Sequence, residues 1–297
     1  MSSSDPAQEG AFASADEVAA MLRRVGYLPD AAIAGVVHLG ERLGKPVLVE
    51  GPAGTGKTEL AKSVAAATGR RLIRLQCYEG LDEAKALYEW DYRKQLLRLQ
   101  ARDESGKDWA QIEGDLFGED FLLTRPLLAA IRAKDPVVLL IDEVDRLDIE
   151  TEALLLEVLS DYQVSIPELG TLKATTVPLV YLTSNNSRDL SEALKRRCLF
   201  LHLDYPSVDR EREIVLSRVP GIRENLAEQI TRVVAALRGL DLKKHPSVSE
   251  TLDWARALLL LGAEEIDEAT LRDTLNVLLK YTGDITKAAA KLADLAK

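Results

Sequence analysis

Over most of the first two hundred residues, short apolar runs alternate with longer segments in which apolar positions recur every three or four residues. The runs KPVLVE (45–50), RLIRLQ (71–76), PVVLLI (136–141), PLVYLTS (178–184) and CLFLHL (198–203) read as strands, and the segments between them have helical spacing. Parallel strands need crossover connections, so this alternation predicts an α/β domain with a five-stranded parallel sheet covered by helices. Ahead of the sheet, Ser14 and Glu17 form a capping-box pattern that opens a helix through about Val25, and Asp30 can cap a second through about Leu43. QVSIPELGTLKATT (163–176) has β-like ends around a turn containing Gly170, which predicts a β-hairpin inserted in the domain.

After Tyr205-Pro206 the strand pattern stops. The remainder of the chain is helical in pattern, with breaks at Pro220-Gly221, around Lys244-His245-Pro246, at Gly262 and at Gly283, which suggests four or five short helices. The expected organisation is a loose tail over 1–13, an α/β nucleotide-binding domain over 14–206 and a smaller all-helical lid domain over 207–297. The charged stretch 100–118 reads as a mobile insertion, and no fixed-period repeat is visible.

Composition narrows the partners. Lys+Arg 38 against Asp+Glu 48 leaves a net charge of -10, which opposes attraction to a polyanion unless the basic residues cluster. Neither a basic face nor a helix-turn-helix pattern is present, so nucleic acid is not expected as the main partner. The first twenty residues lack a basic start followed by an apolar run, and no stretch reaches the roughly 18 apolar residues of a membrane span. The expectation is a soluble, cytoplasmic protein. Cys77 and Cys198 lie far apart, as do His38, His202 and His245, so neither a disulfide framework nor a metal cluster is suggested.

The chemistry is carried by strand ends. GPAGTGKT (51–58), followed by Glu59, matches G-x-x-x-x-G-K-[ST] and sits between a predicted strand and a helical segment. Glycines allow the backbone to curl so that several N–H groups face one anion at the positive end of a helix. Gly51, Pro52, Ala53, Gly54, Thr55, Gly56, Lys57, Thr58 and Glu59 are therefore the candidate nucleotide-binding residues. Lys57 would reach the β and γ phosphates, and the Thr58 hydroxyl would hold Mg²⁺. In VVLLIDEVD (137–145) an apolar strand ends in two carboxylates: Asp142 would bind Mg²⁺ and Glu143 would polarise the attacking water. A strand ending in Asp-Glu could also simply cap the next helix.

YLTSNNS (181–187) ends another strand in polar residues, and Asn185 would orient the attacking water if that strand lies between the other two. The asparagines also suit an ordinary turn. ALKRRCLF (193–200) places Arg196 and Arg197 between a helical stretch and a strand, where they suit a solvated helix C-terminus, a nucleic-acid contact or a cation aimed at phosphate.

The order of phosphate loop, DE-ending strand, asparagine-ending strand and arginine-bearing helix resembles an AAA+ ATPase. The hairpin, FLLTRPLLAAIRA (121–133) and LLLEVLSDYQVSIPE (154–168) resemble the MoxR branch. LIRLQCYEGLDEAKALYEWDY (72–92) and ALKRRCLF resemble the CoxD-like proteins that assist maturation of molybdenum-containing carbon monoxide dehydrogenases, the likeness spanning roughly 15–290. The resemblance implies ATP hydrolysis with Mg²⁺ and a homo-oligomeric ring, usually of six subunits, each site completed by a neighbour's arginine. It also implies a von Willebrand factor A domain protein as partner and a metalloenzyme client. Arg197 aligns with the family's arginine finger, with Arg196 as the fallback.

One departure stands out. The second sensing arginine of many AAA+ proteins is missing from PSVSETLDWARAL (246–258), where Ser249 and Glu250 stand instead and Arg256 lies about two turns on. Tyr78, Tyr88, Trp90 and Tyr92 concentrate in a chain only 5% aromatic. They suit either a substrate-gripping surface or an amphipathic helix on which Leu81, Ala84, Leu87 and Tyr88 share a face.

Overall fold

The computed structural model describes residues 11–100 and 116–291. The insertion read at 100–118 therefore lies largely outside the described residues, as does most of the tail over 1–13. The core of the larger unit is a five-stranded parallel sheet. Its strands are β1 (Val47–Glu50), β2 (Arg71–Gln76), β5 (Val137–Asp142), β8 (Leu179–Ser184) and β9 (Leu199–His202), in the spatial order β2-β5-β8-β1-β9. β1, β5 and β8 are buried along their whole length, which is why each appears as a continuous apolar run rather than an alternation.

The register decides which strand ends meet. Glu50 pairs with Ser184, Ile141 with Leu182, and Gln76 with Asp142. β8 thus lies between β1 and β5, the condition under which Asn185 falls beside the other two strand ends. The strand order reverses next to β1, the topological position at which parallel α/β sheets generally bind ligands.

The hairpin is β6 (Gln163–Ile166) against β7 (Gly170–Lys173), antiparallel as expected. A second small sheet was not expected: β3 (Tyr88–Trp90) pairs antiparallel with β4 (Leu122–Thr124). The helix suggested by Leu81, Ala84, Leu87 and Tyr88 is reduced to the short α4 (Glu83–Ala86), capped by Asp82. Leu81, Leu87 and Trp90 still face the core, so burial demanded apolar residues there while the backbone switched from turn to strand. The aromatic group divides accordingly. Trp90 packs edge-on against Phe117 with ring centroids 5.3 Å apart, while Tyr78 and Tyr92 are exposed.

Chain contacts divide the molecule into two compact units: residues up to Leu22, Pro29–Glu50 and Ala61–Leu201 in one, and Arg23–Leu28, Gly51–Leu60 and the chain from His202 in the other. The second unit is built on Val208–Arg218, Glu224–Arg238, Val248–Leu260, Glu268–Leu278 and Thr282–Ala289, packed around Trp254, whose indole N–H donates to Thr274 Oγ1 at 2.8 Å. Gly283 does not break a helix. It sits in the first turn of Thr282–Ala289, and the interruption falls at Leu279–Tyr281. No helix among the described residues is long and apolar enough to cross a membrane.

Candidate functional site

The Gly51–Gly56 loop leaves β1 and opens the helix Lys57–Thr68 (α3). Two of its glycines are required. Gly51 has φ 150°, and a Cβ there would stand 1.9 Å from the Leu203 carbonyl oxygen. Gly54 has φ 75°, and its Cβ would stand 2.2 Å from Ser247 Oγ and 2.4 Å from Ser247 Cβ. Ser247 cannot easily yield, because it caps Val248–Leu260 in a capping box with Glu250. Gly54→Ala combines a left-handed backbone with this overlap. We expect it to cost about 1–3 kcal/mol and to weaken nucleotide binding, which a chemical melt and a fluorescent-nucleotide titration would register.

Lys57 is 6% exposed, and its ammonium donates to the carbonyls of Gly51 at 2.7 Å and Pro52 at 2.6 Å. The Thr55 hydroxyl donates to the same Pro52 carbonyl at 2.9 Å. Glu59 is not a bare loop extension: Arg218 holds its carboxylate at 2.8 Å. Thr58 stands half-buried in the first turn of α3.

The acidic strand end is held by side chains from both flanking strands. Asp142 is 2% exposed. Arg74 on β2 donates to its Oδ2 from Nε at 3.0 Å and Nη2 at 2.5 Å, and Thr183 on β8 donates to its Oδ1 at 2.5 Å. Thr183 Oγ1 in turn accepts from the Glu143 backbone N–H at 2.9 Å. Glu143 sits in the left-handed region, φ 58° and ψ 50°, a conformation costing about 1–3 kcal/mol for a non-glycine residue unless its surroundings enforce it. The Thr183 contact is one such enforcement. The Glu143 carboxylate lies 2.7 Å from Arg146 Nε.

The asparagine loop is tied to the same strand end. Asp145 accepts from the Ser187 N–H at 3.0 Å and the Ser187 hydroxyl at 2.6 Å. Burial would push the Asp145 carboxyl up, but the hydrogen bonds from Ser187 and from the Asn185 backbone outweigh it and hold the group below the usual carboxylate range. Asn185 itself is half-buried, and the residue after it, Asn186, has φ 57°. Glu152 reinforces the loop from the helix Ile149–Asp161, accepting from Arg188 at 2.8 Å and from the Ser191 N–H at 2.8 Å.

The two arginines are not equivalent. Arg196 is exposed, with Nε donating to the Glu192 carbonyl at 3.3 Å. Arg197 is half-buried; its Nη1 donates to the Ala193 carbonyl at 2.8 Å and its Nε to Ser160 Oγ. Ser249 is exposed, Glu250 serves the helix cap, and Arg256 pairs with Asp253 at 3.0 Å on the surface.

Arg74, Arg146, Asp145, Thr183, Ser187 and Ser247 were missed by reading the sequence. The polar run TSNNS carried a usable signal for Thr183 and Ser187. Arg74 had none, because its alternation on β2 fits an ordinary sheet-edge strand.

Residues 47–203 match the family model described as "ATPase family associated with various cellular activities (AAA)". Among curated relatives, an uncharacterized protein of Staphylococcus haemolyticus is 26% identical over 227 residues, covering 74% of this chain and 78% of the relative. An uncharacterized protein of Staphylococcus aureus strain USA300 is 26% identical over 224 residues, covering 73% and 76%. Among solved structures, a Thermotoga maritima RuvB described as a Holliday junction branch migration motor superposes with TM-score 0.50 at 20% identity, covering 89% of this chain and 72% of that one. A mutant of the same RuvB gives TM-score 0.52 at 19% identity with the same coverage. In another RuvB structure this chain spans 66% of the chain matched. These likenesses concern the fold.

Proposed function

We propose, from the premise that this chain belongs to the family of ATPases associated with various cellular activities, that it is a ring-forming ATPase that remodels another protein complex. The chain hydrolyses ATP. The observation that carries the assignment of residues is the strand order. It sets the ends of β5 and β8, with Asp142, Glu143 and Asn185, next to the β1 end that runs into the Gly51–Gly56 loop. In this reading Lys57 and the loop N–H groups hold the phosphates, Asn185 orients the attacking water and Glu143 takes its proton. Arg197 of a neighbouring subunit faces the γ-phosphate, with Arg196 as the fallback.

Thr58 and Asp142 are hard oxygen donors suited to a Mg²⁺ that keeps several waters and arrives with the nucleotide. They are the residues that would hold it. The chemistry such an ion would supply is neutralisation of the charge on the transferring phosphoryl group. A pre-formed cage is not needed, and among the described residues no group of three or more His, Cys, Asp or Glu is placed to hold an ion.

The narrower reading is a MoxR-type, CoxD-like chaperone, hexameric, acting with a von Willebrand factor A domain protein on a metalloenzyme client such as a molybdenum carbon monoxide dehydrogenase. Its support is the stretch at 72–92, the hairpin-bearing region and ALKRRCLF. The net charge of -10 favours a protein client over a nucleic acid. Two measurements test this reading. Light scattering with an ATP analogue should give a ring of about six chains, the number the resemblance implies, and ATPase rate should rise with a partner of that class. Strong stimulation by DNA, with none by such a partner, would move the assignment to a nucleic-acid-associated AAA+ protein.

A further inference from the structure

Asp142 is clamped from both neighbouring strands, and one clamp is a cation. The Arg74 guanidinium meets Oδ2 through two nitrogens, at 3.0 and 2.5 Å, and also donates to Gln76 Oε1. The carboxylate is almost fully buried, whereas the Arg74 side chain is 45% exposed. On β2 the residue directly opposite Asp142 is Gln76; Arg74 stands opposite Leu140 and reaches along the strand direction to make the contact. A chain of hydrogen bonds then crosses three strands, from Arg74 through Asp142 and Thr183 to the Glu143 backbone.

We propose that Arg74 is a positioning residue that competes with the divalent cation for Asp142, setting how much Mg²⁺ the nucleotide site requires. This rests on the reading of Asp142 as the metal-holding carboxylate. The physical argument has two parts. A buried carboxylate needs a partner, and the guanidinium supplies one while fixing the rotamer. The same positive charge makes Asp142 a weaker ligand for a second cation, because a neighbouring charge biases a carboxylate against binding further positive charge. Since the guanidinium is partly in solvent, it can swing away without unpacking the sheet. A residue with a merely structural role would predict only loss on removal. Competition predicts a gain in metal affinity.

The test is a Mg²⁺ titration of fluorescent, non-hydrolysable ATP-analogue binding to the full chain. Arg74→Met is expected to lower the half-saturating Mg²⁺ concentration about 3- to 10-fold, below the roughly 10- to 1,000-fold of a close buried charge because the Arg74 side chain is 45% exposed and screened by solvent. Arg74→Lys, which keeps the charge, should stay near the unmodified chain, and Asp142→Asn should raise the Mg²⁺ requirement. Should Arg74→Met fail to fold, Arg74→Gln, which keeps a donor without the charge, carries the same comparison. An unchanged or raised requirement in the uncharged variants, with the expected rise in Asp142→Asn, overturns the competition. No change in Asp142→Asn overturns the metal assignment of Asp142, and the competition with it.

Discussion

Arg197→Ala is expected to lower ATP turnover by about 10³- to 10⁵-fold, the range in which an arginine finger acts, while nucleotide binding should stay close to that of the unmodified chain. The separation comes from the proposed geometry of action. In that proposal the guanidinium would serve the neighbouring subunit's phosphate, so a subunit that lacks it would still have its own Gly51–Gly56 loop and Lys57. Arg197 is suited to the role by its supports: the Ala193 carbonyl and Ser160 Oγ restrict a side chain that would otherwise lose much rotamer freedom on docking. Arg196 is exposed, and Arg196→Ala is expected to change turnover far less. Steady-state hydrolysis and analogue binding on both variants decide the matter. Loss in Arg196→Ala with normal turnover in Arg197→Ala would exchange their roles.

Glu143→Gln is the second large effect, about 10²- to 10⁴-fold in turnover, the usual worth of a positioned general base. The substitution keeps the shape and the Thr183 contact to the backbone N–H, so ATP should be bound and held instead of split. Glu143→Gln should weaken the pair with Arg146, at 2.7 Å in the unmodified chain, and a small stability change can accompany it. A mixing experiment joins the two predictions. Rings assembled from Arg197→Ala and Glu143→Gln subunits together should recover activity that neither has alone. An intact Glu143 in one subunit then meets an intact Arg197 from the other. Mixed rings as inactive as their parents would argue that the arginine acts within its own chain.

Several features of the fold are legible in the chain itself. Each sheet strand falls within a residue or two of its apolar run; for β1, β5 and β8 complete burial needs unbroken apolarity, and for the partly exposed β2 and β9 the shorter apolar pattern still marks the strand. The turn at Gly51–Gly56 was legible for a local reason as well. Its glycines answer a local backbone demand, visible in the positive φ of Gly51, Gly54 and Gly56. Asp30, Ser207 and Asp267 cap helices through contacts to backbone N–H groups three residues ahead, again within reach of local reading.

The illegible parts are those whose partners are distant in sequence. β3 is three residues long and exists because Leu122–Thr124 offers it a ladder; within Tyr88–Trp90 nothing distinguishes strand from the helix that the preceding spacing favoured. Gly283 is tolerated in a first helical turn because buried Asp284 accepts from the Lys243 and Lys244 N–H groups, anchoring that turn to the 240s loop. Ser247 caps its helix through a local contact, but its place against Gly54 is set by the folding of the second unit.

The sequence by itself determined the α/β class, the glycine-bearing turn between β1 and the following helix, and the chemical kinds of residue at each strand end, since period and backbone freedom are local properties. Tertiary structure alone decided which of those residues meet. By placing β8 between β1 and β5 it brought Thr183 to Asp142 across 41 positions of sequence, and by placing β2 beside β5 it brought Arg74 there across 68. Such pairings depend on strand order, and strand order is fixed by how crossover helices pack on the two faces of the sheet, which no short window of residues contains.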